Sequence, residues 1–151
     1  MATLFEERQH FAPWVYAVVV VAMGAGATGV LVPAFTEEAA PTYLWAVAAC
    51  YVVGALVLCN LLLLVTRVDN AELYVRLGAY VPMLWKRLRI DRISGVRVVD
   101  YRPVINAGGW GVRFGRFEGA WCRFYNARGK RGVFLSADGK HYIIGSQAPE
   151  R

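Results

Sequence analysis

The sequence predicts an α+β membrane protein in which a transmembrane helical hairpin is followed by a small all-β domain, and three observations carry that prediction. Of 151 residues, 57% are hydrophobic, which is high for a single soluble domain. Two stretches, 11–36 and 39–66, contain no Asp, Glu, Lys or Arg, and only Glu37 and Glu38 separate them. Beyond Thr66 the apolar residues stop running together and alternate with polar ones.

Each uncharged stretch exceeds the roughly 20 residues that a helix rising about 1.5 Å per residue needs to cross about 30 Å of hydrocarbon. The apolar segments predict helices over residues 14–32 and 43–66, joined by a short polar turn between Val32 and Pro41. A chain of this size has too little other mass to surround two long helices that are apolar all round. Orientation follows from the cations. Of 17 Lys and Arg residues, only Arg8 precedes the first span, none lies between the spans and 16 follow the second. Because such an excess stays on the cytoplasmic side, both termini are expected inside the cell, with the protein in the cytoplasmic (inner) membrane. Trp14 and Tyr16 begin the first span and Tyr43 and Trp45 the second, where amphipathic rings anchor at headgroup level. A signal peptide cleaved near Ala25-Gly26-Ala27 is the competing reading of the first span. Against it, Glu6 and Glu7 outweigh Arg8, and apolar residues run on through Val32.

Within the spans small residues recur every fourth position: Ala22 and Gly26, Ala25 and Gly29, then Ala46, Cys50 and Gly54. In lipid such stripes let backbones approach, which predicts an antiparallel hairpin or self-association. Asn60 is the one strongly polar side chain deep in the second span and is expected to bond a neighbouring helix or water.

From residue 67 to 151 the period is two. Leu73, Val75 and Leu77 share a face opposite Tyr74 and Arg76, and Leu88 and Ile90 oppose Arg87 and Arg89. Further strands are expected over 95–101, 111–114, 121–125, 132–136 and 141–144, separated by turn signals at 106–109, 126–129 and Asp138-Gly139. About seven short strands predict a sandwich or a partly open barrel.

The order of two spans, a Thr66-Arg67-Val68 junction and strands carrying Val99-Asp-Tyr-Arg-Pro103, Gly108-Gly-Trp-Gly-Val-Arg113 and Ile144-Gly-Ser-Gln-Ala-Pro149 resembles small uncharacterised bacterial membrane proteins with a pleckstrin-homology-like domain. The amino-terminal Phe5-Glu-Glu-Arg-Gln-His-Phe11 is similar to the same group. The resemblance implies a partly open barrel closed by a carboxyl-terminal helix. The chain departs from it there, since no helix-period segment follows the last strand. It implies no reaction and no ligand.

Chemistry-bearing patterns are sparse. Cys50, Cys59 and Cys122 form no Cys-x-x-Cys pair, and His10 and His141 have no ligand-spaced partners, so neither a disulfide framework nor a metal is expected. The glycines at 108, 109 and 111 fit no phosphate-binding fingerprint, because Val112-Arg113-Phe114 follows them. Asp100 is the best single acid and is read as an ion-pair partner. No catalytic constellation appears, so a non-enzymatic protein without cofactor is expected.

Charge is what remains. Residues 67–151 hold 16 basic and 7 acidic side chains, a net of +9. The expected partners are anionic headgroups of membrane lipids, a membrane-protein partner or a second copy of the chain. Nucleic acid is disfavoured because the cations alternate with apolar residues next to a membrane anchor. Arg67, Trp85, Lys86, Arg87 and Arg89 are the candidates for a juxtamembrane cluster. Trp110 and Arg113 form a second candidate ledge, for which glycine-driven backbone geometry is the competing structural reading.

Overall fold

The computed structural model describes residues 3–36 and 41–150, apart from the side chains of residues 30, 31, 33–36 and 41–43. The chain divides into two compact units: Ala12–Asn60, and Met1–Phe11 together with Leu61–Arg151.

The first unit is helical. α1 (Pro13–Thr36) and α2 (Pro41–Leu61) each begin on a proline, whose missing N–H is no loss at a first helical position. Among the described residues one helix is long and apolar enough to cross a membrane. This is Leu44–Leu61, with mean hydropathy 2.1 and only 6% of the window buried, while the apolar part of α1 is the shorter Pro13–Gly29. The expected turn starting at Pro33 is partly helix, since α1 continues to Thr36; residues 37–40 lie outside the described residues. The two helices meet at Gly26, where the Tyr51 hydroxyl of α2 donates to the Met23 carbonyl of α1. A Cβ at Gly26 would collide with that hydroxyl, whereas Gly29 and Gly54 face open space. Of the glycines in the small-residue stripes, only Gly26 works as an approach point within the chain.

The second span was expected to run to Thr66, and the structure corrects this. α2 ends at Leu61, and the apolar run continues as β2 (Leu63–Asp69). Uncharged composition cannot distinguish a membrane helix from a strand buried on both faces, and β2 is the latter: Leu64, Val65 and Thr66 are all buried. Residues 3–10, where no strand was expected, form β1 (Thr3–His10) and pair antiparallel with β2.

All seven strands expected beyond residue 66 form: β3 (Glu72–Leu77), β4 (Leu84–Arg89), β5 (Ile93–Asp100), β6 (Gly111–Phe117), β7 (Ala120–Asn126), β8 (Arg131–Ala137) and β9 (Lys140–Gly145). With β1 and β2 they make two sheets and no closed barrel. Sheet A has the order β1-β2-β3-β4 and is antiparallel throughout; sheet B has the order β5-β8-β9-β7-β6, with β7 and β9 parallel. The sheets share one core, in which Leu64, Val75, Leu77 and Leu88 of sheet A cluster with Tyr125, Leu135 and Ile144 of sheet B. This is the sandwich alternative. On the other face of sheet B, Phe124, Ile143 and Cys122 are covered by Tyr101 and by a short helix, α3 (Pro103–Ala107). α3 can lie on β6 because residue 115 is glycine. A Cβ there would collide with the Asn106 carbonyl oxygen and come within 2.9 Å of Ala107 Cα.

Candidate functional site

Strand pairing sorts the predicted cluster by face. Arg8, Val65, Arg76 and Trp85 form one cross-strand row, and Glu6, Arg67, Tyr74 and Arg87 form the next row on the same face. This face is the outside of sheet A, because the intervening row of Thr66 and Val75 points into the shared core. The Arg87 guanidinium lies 5.3 Å from the Tyr74 ring centroid and 5.7 Å from that of Trp85. Trp85 is exposed, and Arg67 is half-buried with its Nε hydrogen meeting no acceptor among the described residues. Val65 is buried at the centre of these rows, with Arg8 and Arg76 on its two sides. Long cationic side chains cover such a residue with their methylene stems while their charged ends stay in water.

Not every predicted member belongs to this patch. Lys86 pairs with Val75 and so projects from the opposite face of β4 to Arg87 and Arg89. Arg89 shares the outer face but sits at the far end of the strand and is held by Asp91 in an exposed ion pair of 2.6 Å. Arg8 is tied to Glu6 at 2.8 Å. Arg76 was not singled out by sequence, although its position in the Leu73–Leu77 alternation already placed it opposite the core residues.

Arg113 lies on β6 of sheet B and Trp110 immediately precedes that strand, so neither stands in the rows of the sheet A patch. Trp110 is half-buried, and its carbonyl accepts from Arg113 Nε at 3.2 Å. Gly108, Gly109 and Gly111 have φ of 69°, 134° and 101°, a region that favours glycine, and Gly108 terminates α3. The glycines therefore serve backbone geometry. A second cation–aromatic ladder, missed by sequence reasoning, occupies the β6–β7 hairpin: Arg123 lies 4.8 Å from the Phe114 centroid and Arg116 lies 5.2 Å from that of Trp121. Both aromatic residues are about two-thirds exposed (68% and 64%), and the Phe114-x-Arg116 and Trp121-x-Arg123 spacings were the available signal.

No family model, curated protein or solved structure matches the chain.

Other groups are structurally committed. Asp100 pairs with Arg131 at 3.5 Å, across the β5–β8 register. His141 is half-buried: its Nδ1 lies 2.8 Å from Ser136 Oγ and its ring stacks on Phe134. Among the described residues no group of three or more His, Cys, Asp or Glu could hold a metal. Burial pushes the Tyr101 phenol up to about 12 and raises the Tyr125 phenol and the Cys122 thiol as well. Between the sheets a cleft of about 550 Å³ is lined by Phe5, Val68, Ile90, Val96, Val98 and Val133. Its charged lining residues are already paired. Glu7 accepts from Ser146 Oγ and Gln147 N, Arg97 pairs with Glu118, and Glu150 pairs with Arg131.

Proposed function

We propose that the protein is a non-enzymatic bilayer-anchored module. In this reading α1 and α2 cross the inner membrane as a hairpin, the β-sandwich lies on the cytoplasmic side, and the outer face of sheet A contacts anionic lipid headgroups. The observation that carries it is the pairing of the two strands that bracket the helices: β1 runs directly into α1, β2 follows α2 directly, and their shared outer rows hold Arg8, Arg67, Arg76 and Arg87 against one acid, Glu6. The half-buried Arg67, whose Nε hydrogen meets no acceptor among the described residues, suits a phosphate oxygen. Each cation near an anionic leaflet is worth about 1 kcal/mol within a Debye length of about 8 Å. Along β3, at about 3.4 Å per residue, Arg76 lies about 7 Å from Gly78, at the end of the sheet where the chain leaves for α1. Arg87, opposite Tyr74, lies about 14 Å away and Arg89, opposite Glu72, about 20 Å away. Arg76 is thus weighted first and Arg89 least. The pleckstrin-homology-like assignment rests on the sequence motifs alone.

The test uses the full chain in nanodiscs, because β1 and β2 are part of the sandwich and a fragment starting at Val68 would lack β1 and most of β2. In anionic nanodiscs the β unit should melt several degrees higher than in zwitterionic ones, since a ligand that binds only the folded state stabilises it. High salt, or the combined substitutions Arg67→Gln, Arg76→Gln and Arg87→Gln, should erase the difference, while Arg89→Gln should leave it. Equal melting in both lipids would refute headgroup contact. A second reading, a subunit or assembly factor of a larger envelope complex, is favoured by the exposed Phe114 and Trp121, because Trp and Arg dominate protein-binding hot spots. A partner retained in mild detergent and lost in Trp121→Ala would select it.

A further inference from the structure

Sheet A has two chemically different ends. At one end the β2–β3 turn is polar: Asp69 accepts from the amides of Ala71 and Glu72, at 2.9 and 2.8 Å. The β6–β7 and β8–β9 turns likewise carry acids, Glu118 and Asp138. The β3–β4 connection is the exception. From Leu77 to Trp85 the sequence is Leu-Gly-Ala-Tyr-Val-Pro-Met-Leu-Trp, without a charge. Its side chains stand outward, with Tyr80 89%, Val81 63%, Met83 46%, Leu84 44% and Trp85 57% exposed. Turns are ordinarily built from Gly, Pro, Asn, Asp and Ser, so five large apolar residues exposed around one turn call for a covering medium.

Register shows where this turn lies. The Gly78 amide donates to the Leu63 carbonyl at 2.8 Å, and Met83 N donates to Leu77 O at 3.2 Å. His10 is opposite Leu63, and the Phe11 amide donates to the Leu62 carbonyl. The apolar turn therefore caps the end of sheet A at which the chain departs for α1 and returns from α2. We propose that this turn, residues 78–85, inserts into the interfacial layer of the bilayer, a third attachment beside the two helix connections that fixes how sheet A stands on the membrane. The inference rests on the membrane reading above.

The chemistry fits that occupant in detail. Tyr80 and Trp85 are the amphipathic rings that settle at headgroup level, and Val81, Met83 and Leu84 offer apolar surface to the acyl boundary. Pro82 has no amide hydrogen to leave unsatisfied as water is excluded. Arg76 and Lys86, the nearest cations on either side in sequence, bound the insertion and can remain among the phosphates.

The test places a nitroxide at Val81→Cys in the full-length protein, with the native cysteines replaced, in liposomes. Collision rates with oxygen and with a water-soluble nickel chelate are then compared against labels at Asn70→Cys and Val53→Cys. Asn70 lies in the polar turn at the other end of sheet A, and Val53 is an exposed position on α2. The oxygen-to-nickel ratio at 81 should exceed that at 70 several-fold and approach that at 53, and a label at Met83→Cys should agree. A nickel-accessible 81 beside a lipid-exposed 53 would overturn the inference and leave the membrane reading standing. A nickel-accessible 53 would overturn both. Shielding of 81 from both reagents would overturn it in favour of a protein partner covering the turn.

Discussion

Gly115 and Gly54 are the same residue type in opposite circumstances. At Gly115 the absent Cβ is the contact surface for α3, so Gly115→Ala should destabilise the β unit by about 1–3 kcal/mol, the usual range for overpacking. Gly54→Ala, with nothing within 4 Å, should leave stability unchanged. Thermal unfolding of the two variants in the same detergent checks the contrast. Tyr101 supplies a pH signature. Its ring packs on Phe124 and its hydroxyl lies beside the Asn126 amide without a well-formed hydrogen bond. Its folded pKa of about 12 is above the unfolded value of 10, so the fold favours the protonated phenol. The stability this contributes is complete below pH 10 and is lost as pH rises towards 12, up to roughly 3 kcal/mol at about 1.4 kcal/mol per unit. Tyr101→Phe should therefore lose less stability between pH 9 and 11 than the parent; identical alkaline limbs would refute the assignment. Tyr125 and Cys122, raised in the same direction, leave a residual slope in both proteins.

Among the elements, α1 and α2 approach closely at Gly26 within the described residues, and β1 carries more of the fold than its position suggests. Gly26→Ala would push the Tyr51 hydroxyl off the Met23 carbonyl, and Tyr51→Phe would remove that bond while keeping the ring. Both should weaken helix pairing by about 1 kcal/mol, the scale of interhelical hydrogen bonds in membranes. Cysteine cross-linking between α1 and α2 should slow in both variants and stay normal in Gly29→Ala. β1 pairs along nearly the whole of β2, and its Gln9 side chain is buried and donates to the Gly145 carbonyl of β9 at 2.7 Å. Deletion of residues 3–10 should therefore open sheet A and expose β2, read as rapid proteolysis between residues 62 and 77. A protease-resistant sandwich after this deletion would show that β1 is dispensable.

For the whole molecule, much of the architecture was legible in sequence because its signals are local. The absence of charge over 11–36 and 39–66 announced apolar helices, and two-residue alternation announced all seven strands from β3 to β9. Turn chemistry placed the β8–β9 hairpin at Asp138-Gly139 and the β7–β8 connection near Asn126. What depends on pairing was not legible. Residues 63–66 are as apolar as a membrane span, and only the presence of β1 on one side and β3 on the other makes them a central strand. For β1, with three charges in eight residues, the deciding factor was a partner more than 50 residues away, and no local pattern reports that. The site divides the same way. A basic, aromatic region just after the second apolar helix is a property of composition, and the sequence determined it. Which of its cations share a face is a property of register: a strand turns successive side chains to opposite faces, so Lys86 separates from Arg87 while Arg67, Arg76 and Arg87 come together from three strands. The sequence by itself thus determined the apolar helices, the alternating strands and the charge. Only the tertiary structure decided which strands adjoin, which cations share a face and which turn stands at the end of sheet A where the chain leaves for α1, because those depend on contacts between residues far apart in the chain.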